Sequence, residues 1–145
     1  YADGEYIDLL CHNETKKTGR KSEILKLSHS GDLVSRSKSI AESAHNCIIY
    51  KGKFLVCDSL NHRVLLGGEE VFACKLFTRG VSVQNNNVLI GGSEYASREQ
   101  RSLVSGAIYI LDRDFNLLES IEIPGMVQEI RALDSLDFGM SLQAS

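Results

Sequence analysis

A chain of 145 residues that is 43% hydrophobic and carries a net charge of −3 suits a folded domain with a core of its own. Its 16 basic and 19 acidic residues are well mixed, which argues against the broad basic surface of a nucleic-acid binder. No run of about 18 apolar residues offers a membrane span, and a single proline without any tryptophan does not describe a Pro-rich linker.

The chain opens on Tyr1-Ala2-Asp3-Gly4-Glu5, without an initiator methionine or the basic-then-apolar layout of a secretory signal, and reads as an excised or processed piece. The sequon Asn13-Glu14-Thr15 would matter only in a secreted protein. The short basic cluster of Lys16-Lys17 with Arg20-Lys21 lies in a polar stretch and reads as a solvated loop. From Ile24 to Val34 the pattern is strand, polar turn, strand. His45 to Val56 is a β-hairpin about Lys51-Gly52, a dipeptide that tolerates positive φ. Arg63-Val64-Leu65-Leu66 and Glu70-Val71-Phe72-Ala73 form a shorter hairpin about Gly67-Gly68. Arg79 to Ile90 is another, turning at Asn85-Asn86, and Ile108 to Leu118 is a fourth with a polar turn. A looser copy runs from Gln128 to Phe138, with Asp134-Ser135 at its bend.

These hairpins repeat. His45 to Val56 superimposes without gaps on Arg79 to Ile90, the match runs on to Ser59 and Ser93, and Ile24 to Val34 lines up with Ile108 to Leu118. Four short antiparallel strands in each unit of about 40 residues is the signature of propeller blades. An isolated sandwich also uses many short strands, but the regular alternation of two hairpin types favours the propeller. The expected architecture is therefore all-β, a single β-propeller segment over 1–145 with about three four-stranded blades. Its blades cover approximately 1–40 (the last three strands of one), 41–77, 78–124 and 125–145 (the start of another). Such an arc does not close, so further blades or a second subunit would complete the ring, most naturally a six-bladed one.

Cysteines 11, 47, 57 and 74 form no C-x-x-C pair and no zinc-like spacing. Reduced, buried thiols and a cytoplasmic location are expected, with a Cys47–Cys57 bridge between neighbouring strands as the alternative.

Asp58-Ser59-Leu60-Asn61-His62-Arg63-Val64, after the strand Lys53 to Cys57, resembles the NHL repeat, a strand and an Asp followed by an Asn-x-Arg-Val stretch that opens the next strand. The resemblance covers one blade closely. In the next, Gly92-Ser93-Glu94 stands in place of Asp58-Ser59-Leu60 and no Asn-x-Arg follows. Arg79 to Ser93, Gly106 to Asp112 and Gln128-Glu129-Ile130 also resemble a family of uncharacterised bacterial propeller-type proteins. The resemblance implies a propeller fold, and NHL-type propellers include protein- and RNA-binding modules.

In a propeller the first strand of each blade lines the central channel. Counting back from the hairpin turns puts His45, Arg79 and Gln128 at one level and Asn46, Gly80 and Glu129 at the next. His45, Asn46, Arg79 and Glu129 are thus the expected ligand-binding set at the channel mouth, suited to an anion, a carbohydrate or a hard cation. The insertion from Glu94 to Ser105 adds Tyr95, Arg98 and Arg101, which offer stacking and anion contacts. Related six-bladed lactonases hold a channel cation with Glu, Asn and Asp from separate blades. That resemblance makes Asn46 and Glu129 candidate Ca2+ ligands, although no Asp stands at a matching position.

Asp58, Asn61, His62 and Arg63 read as a turn-tying group rather than a catalytic pair. Asp112 to Asn116 reads as a polar hairpin turn, because Leu117 occupies the place where a calcium loop needs glycine. The function expected is a non-catalytic binding module for a carbohydrate, a small anion or a protein. No nucleic acid, membrane or resident cofactor is expected. A metal-dependent lactonase or hydrolase and a plain structural scaffold are the alternatives.

Overall fold

The computed structural model describes residues 4–37 and 40–132, apart from the Arg98 side chain. Among these residues eleven strands make three antiparallel sheets. The first holds β1 (Tyr6–Cys11), β2 (Glu23–Ser28) and β3 (Leu33–Arg36). The second holds β4 (Ala44–Tyr50), β5 (Lys53–Asp58), β6 (Arg63–Leu66) and β7 (Glu69–Ala73). The third holds β8 (Phe77–Gln84), β9 (Asn87–Ser93), β10 (Ser105–Leu111) and β11 (Leu117–Pro124). Each is a meander in which neighbours in sequence are neighbours in space.

Local chemistry sets the bends. Lys51 (φ 48°) and Gly52 (φ 71°) both occupy the left-handed region, as do Gly67 and Gly68, which gives two-residue turns whose twist matches the strands. At the β10–β11 turn the Asp112 carboxylate accepts from the Asp114 and Asn116 backbone N–H groups at 2.8 and 2.9 Å, the polar hairpin turn that its residues suggest. Asp58, wholly buried, accepts from Glu42 N, from Asn61 Nδ2 at 3.0 Å and from Arg63 Nε at 2.8 Å, while His62 bonds the Lys75 carbonyl. This group fastens the β5–β6 connection.

The middle sheet is buried on both faces. Leu55, Cys57 and Val64 pack on Val81, Val88, Ile90 and Leu111 of the third sheet. Val56 and Leu65 pack on the other side with Ala41 and Ala44, joined by Leu10 of the first sheet. Two-sided burial explains why Phe54-Leu55-Val56-Cys57 is a continuous apolar run instead of an alternation.

Between sheets, a fully buried serine meets the backbone where the next unit begins. Ser22 Oγ donates to the His12 carbonyl at 2.9 Å and accepts from Ala44 N at 2.8 Å. Ser59 Oγ donates to the Thr78 carbonyl at 2.6 Å, and Ser93 Oγ accepts from Val127 N at 2.7 Å. Ser59 and Ser93 stand at matching positions of the repeat. Val127 thereby takes the place that Thr78 has in the previous joint, and the chain runs on beside β8, where Ala132 N bonds Ser82 Oγ at 3.0 Å.

Two sequence expectations change here. Gln128 to Ala132 is irregular backbone, not a strand, and the expected turn at Asp134-Ser135 lies outside the described residues. The four cysteines are free thiols, so Cys47 and Cys57 are unbridged. No described helix is long and apolar enough to cross a membrane.

Replacing Ser59 by Ala is expected to lower unfolding free energy by about 1–3 kcal/mol, since the buried Thr78 carbonyl loses its donor and the His45 ring its partner. Urea denaturation checks this, with exposed Ser97→Ala as the control that leaves the midpoint unchanged.

Candidate functional site

The connections that follow the second strand of each four-stranded sheet carry a short helical turn, Ser59–Asn61 and Arg98–Gln100. In the first sheet the β1–β2 connection carries α1 (Thr15–Thr18). All three connections reach one end of the sheets, where they line a cavity of about 250 Å³ together with the starts of β4 and β8. The β1–β2 connection contributes His12, Glu14, Lys16 and Lys17. Ser43, His45 and Leu60 come from the second unit, Phe77, Arg79, Tyr95, Ala96 and Arg101 from the third, and Met126 from the segment beyond it.

A repeated backbone irregularity aims the two central side chains. The ladder between β4 and β5 shifts register between His45 and Cys47, and that between β8 and β9 shifts between Thr78 and Val81. The extra residues, Asn46 (φ 53°) and Gly80 (φ 86°), adopt the left-handed conformation that Asn and Gly tolerate best. Each bulge follows a cavity-lining residue, His45 in one strand and Arg79 in the other. The Asn46 carboxamide oxygen accepts from Gly80 N at 2.8 Å and so pins the two bulges together.

Of the expected channel-mouth set, the structure brings together His45 and Arg79, with Tyr95 and Arg101 from the inserted loop. The other two do not line the cavity. Asn46 is the bulge residue just described. Glu129 accepts from Arg131 Nε at 2.9 Å, has a half-exposed side chain, and does not line the cavity. The described residues contain no cluster of three or more His, Cys, Asp or Glu suited to a metal. Arg98 begins the second helical turn, and its side chain lies outside the described residues.

Sequence reasoning missed His12, Phe77 and Met126. It also treated Lys16 and Lys17 as loop solvation, yet both reach the cavity. Arg20 and Lys21 of the same cluster pair instead with Glu23 at 3.2 Å and Glu42 at 3.3 Å. Only the fold separates the two halves of that basic run.

Aromatic rings line one side of the cavity. His12 and His45 meet edge-on with centroids 4.7 Å apart, His45 and Phe77 at 5.4 Å, and Phe77 and Tyr95 at 5.6 Å. Lys16 Nζ sits 4.0 Å over the Tyr95 ring, within cation–π range.

The electrostatics are one-sided. Burial is the main reason that the His45 pKa falls to about 4, followed by the charges of Arg79, His12 and Arg101, against a smaller opposing contact with the Ser43 backbone. Burial, and then the neighbouring Arg101, also lower the Arg79 pKa, although a guanidinium stays charged at neutral pH. Arg101 Nε is buried with no hydrogen-bond partner among the described residues. Neither arginine closes an ion pair there. Exposed Glu99 feels the Arg101 charge, and Glu14, the one carboxylate lining the cavity among the described residues, is already paired with Lys17 at 3.1 Å.

Could the site do covalent chemistry? His45 Nδ1 and Ser59 Oγ are 3.0 Å apart, a distance at which a base could activate a nucleophile. Ser59, however, is wholly buried and directs its hydroxyl proton to the Thr78 carbonyl. Its oxygen accepts from His45 Nδ1–H, which leaves Nε2 of the neutral ring as an acceptor. Cys57 and Cys47 are no better as nucleophiles, because burial pushes both thiols up to about 12. What faces the cavity instead is guanidinium, ammonium and ring surface.

A depressed histidine pKa makes the unfolded chain bind more protons than the folded one between about pH 4 and 6.5. Stability contributed by neutral His45 is thus complete above pH 6.5 and is lost as pH falls toward 4. NMR titration should find the His45 ring neutral at pH 5, and His45→Gln should flatten the fall in melting temperature between pH 6.5 and 4. No family model and no curated protein matches this chain.

Proposed function

We propose that the chain is a segment of a β-propeller that serves as a non-catalytic binding module, holding an anionic ligand in the cavity between His45, Arg79, Tyr95 and Arg101. The propeller reading is supported by the repeat of meander sheets, by the equivalent serine joints, and by three helical connections that meet at one end. The observation that carries the anion reading is the pair of inward-facing arginines without a carboxylate partner among the described residues, one of them with a buried, unbonded Nε–H. Like charges held together and partly withdrawn from water raise the energy of the site, and an anion that bonds both guanidiniums relieves both terms.

Calorimetry with sodium sulfate on the full chain, at ionic strength matched with chloride, tests the reading. Saturable binding in the millimolar range is expected, weakened about tenfold or more by Arg79→Gln. No saturable sulfate binding, or equal affinity in Arg79→Gln, would overturn it. Thermal melts of both proteins without sulfate confirm that the variant is folded.

A further inference from the structure

Resting on the anion reading, we propose that the ligand is a dianion on a small ring-bearing body, specifically a phosphate monoester of monosaccharide size. The charge balance selects the dianion. Among the described residues, Arg79, Arg101, Lys16 and Lys17 line the cavity against Glu14 alone, and Glu14 is spent on Lys17. A single carboxylate offers one charge and two oxygens. A phosphate monoester carries about −1.5 to −2 at neutral pH and presents three acceptor oxygens, enough to bond both guanidinium groups that line the cavity.

The walls select the body. A volume of about 250 Å³ falls below the range of roughly 300–1,000 Å³ typical of pockets for drug-sized ligands. Phe77 and Tyr95 present ring faces or edges to this space, and Leu60 and Met126 add apolar surface. The C–H face of a sugar ring packs against such a wall. The His45 ring adds a polar edge to the same wall. Tyr95 is 65% exposed, so this part of the wall is open to solvent and can be approached without displacing core residues.

The test measures binding of four probes to the full chain by calorimetry: a hexose phosphate, the matching hexuronate, the neutral hexose and inorganic phosphate. The hexose phosphate should bind at least about tenfold more tightly than the hexuronate. Arg101→Gln should shrink that ratio. Tyr95→Ala, at an exposed position, should weaken the hexose phosphate several-fold and leave inorganic phosphate unchanged. A hexuronate that binds as well as the hexose phosphate would overturn the dianion while leaving the anion reading intact. Inorganic phosphate that matches the hexose phosphate, with Tyr95→Ala silent, would overturn the ring-bearing body. Failure of all charged probes would remove this inference and the anion reading together.

Discussion

A buried serine at each sheet junction is the constraint on which the remaining structure depends. Sheets that pack face to face through apolar side chains can slide, because dispersion and burial have little directionality. Ser22, Ser59 and Ser93 remove that freedom. Each is wholly buried, and each bonds the backbone where the next unit starts, at Ala44, Thr78 and Val127. Loss of such a bond leaves a buried backbone group unpaired, so the register between sheets is held by the energetic penalty for any other arrangement.

That register is also what assembles the cavity. With Thr78 held by Ser59, the next residue of β8 is Arg79, and the bulge at Gly80 follows at once. Ser59 meanwhile accepts the His45 ring proton, so one hydroxyl couples the sheet joint to a cavity-lining imidazole. Asn46 ties its own bulge to that of Gly80. Cavity-lining groups from two sheets are thereby fixed relative to each other by backbone-directed hydrogen bonds, while Lys16, Lys17 and Tyr95 stand at the exposed rim. On the proposed anion-binding function, this fixed arrangement would lower the ordering cost of binding.

The same geometry explains the departures from sequence reasoning. Counting from hairpin turns placed Asn46 and Glu129 level with Gly80, and that level is a bulge. A bulge residue in the left-handed conformation is chosen for its backbone, so Asn46 spends its side chain on Gly80 and not on a ligand. Glu129 lies in irregular chain with Arg131 close enough to pair, a local contact that strand counting does not anticipate. His12 escaped notice because it stands outside the repeated hairpins, at the end of β1 where the aligned positions of the later units hold Ser59 and Ser93.

By itself the sequence determined the all-β class, the hairpin bends at Lys51-Gly52, Gly67-Gly68 and Asn85-Asn86, the turn-tying role of Asp58 and Arg63, and the inward level shared by His45 and Arg79. These are local matters of φ preference, period-two patterning and side chains that bond the nearby backbone, and they are written in short windows of chain. Only the tertiary structure decided that Lys16 and Lys17 reach the cavity while Arg20 and Lys21 turn to Glu23 and Glu42, and that Arg101 has a buried Nε–H unbonded among the described residues. Charge pairing and burial depend on which distant segments the sheet joints bring together, and no window along the chain contains that distance.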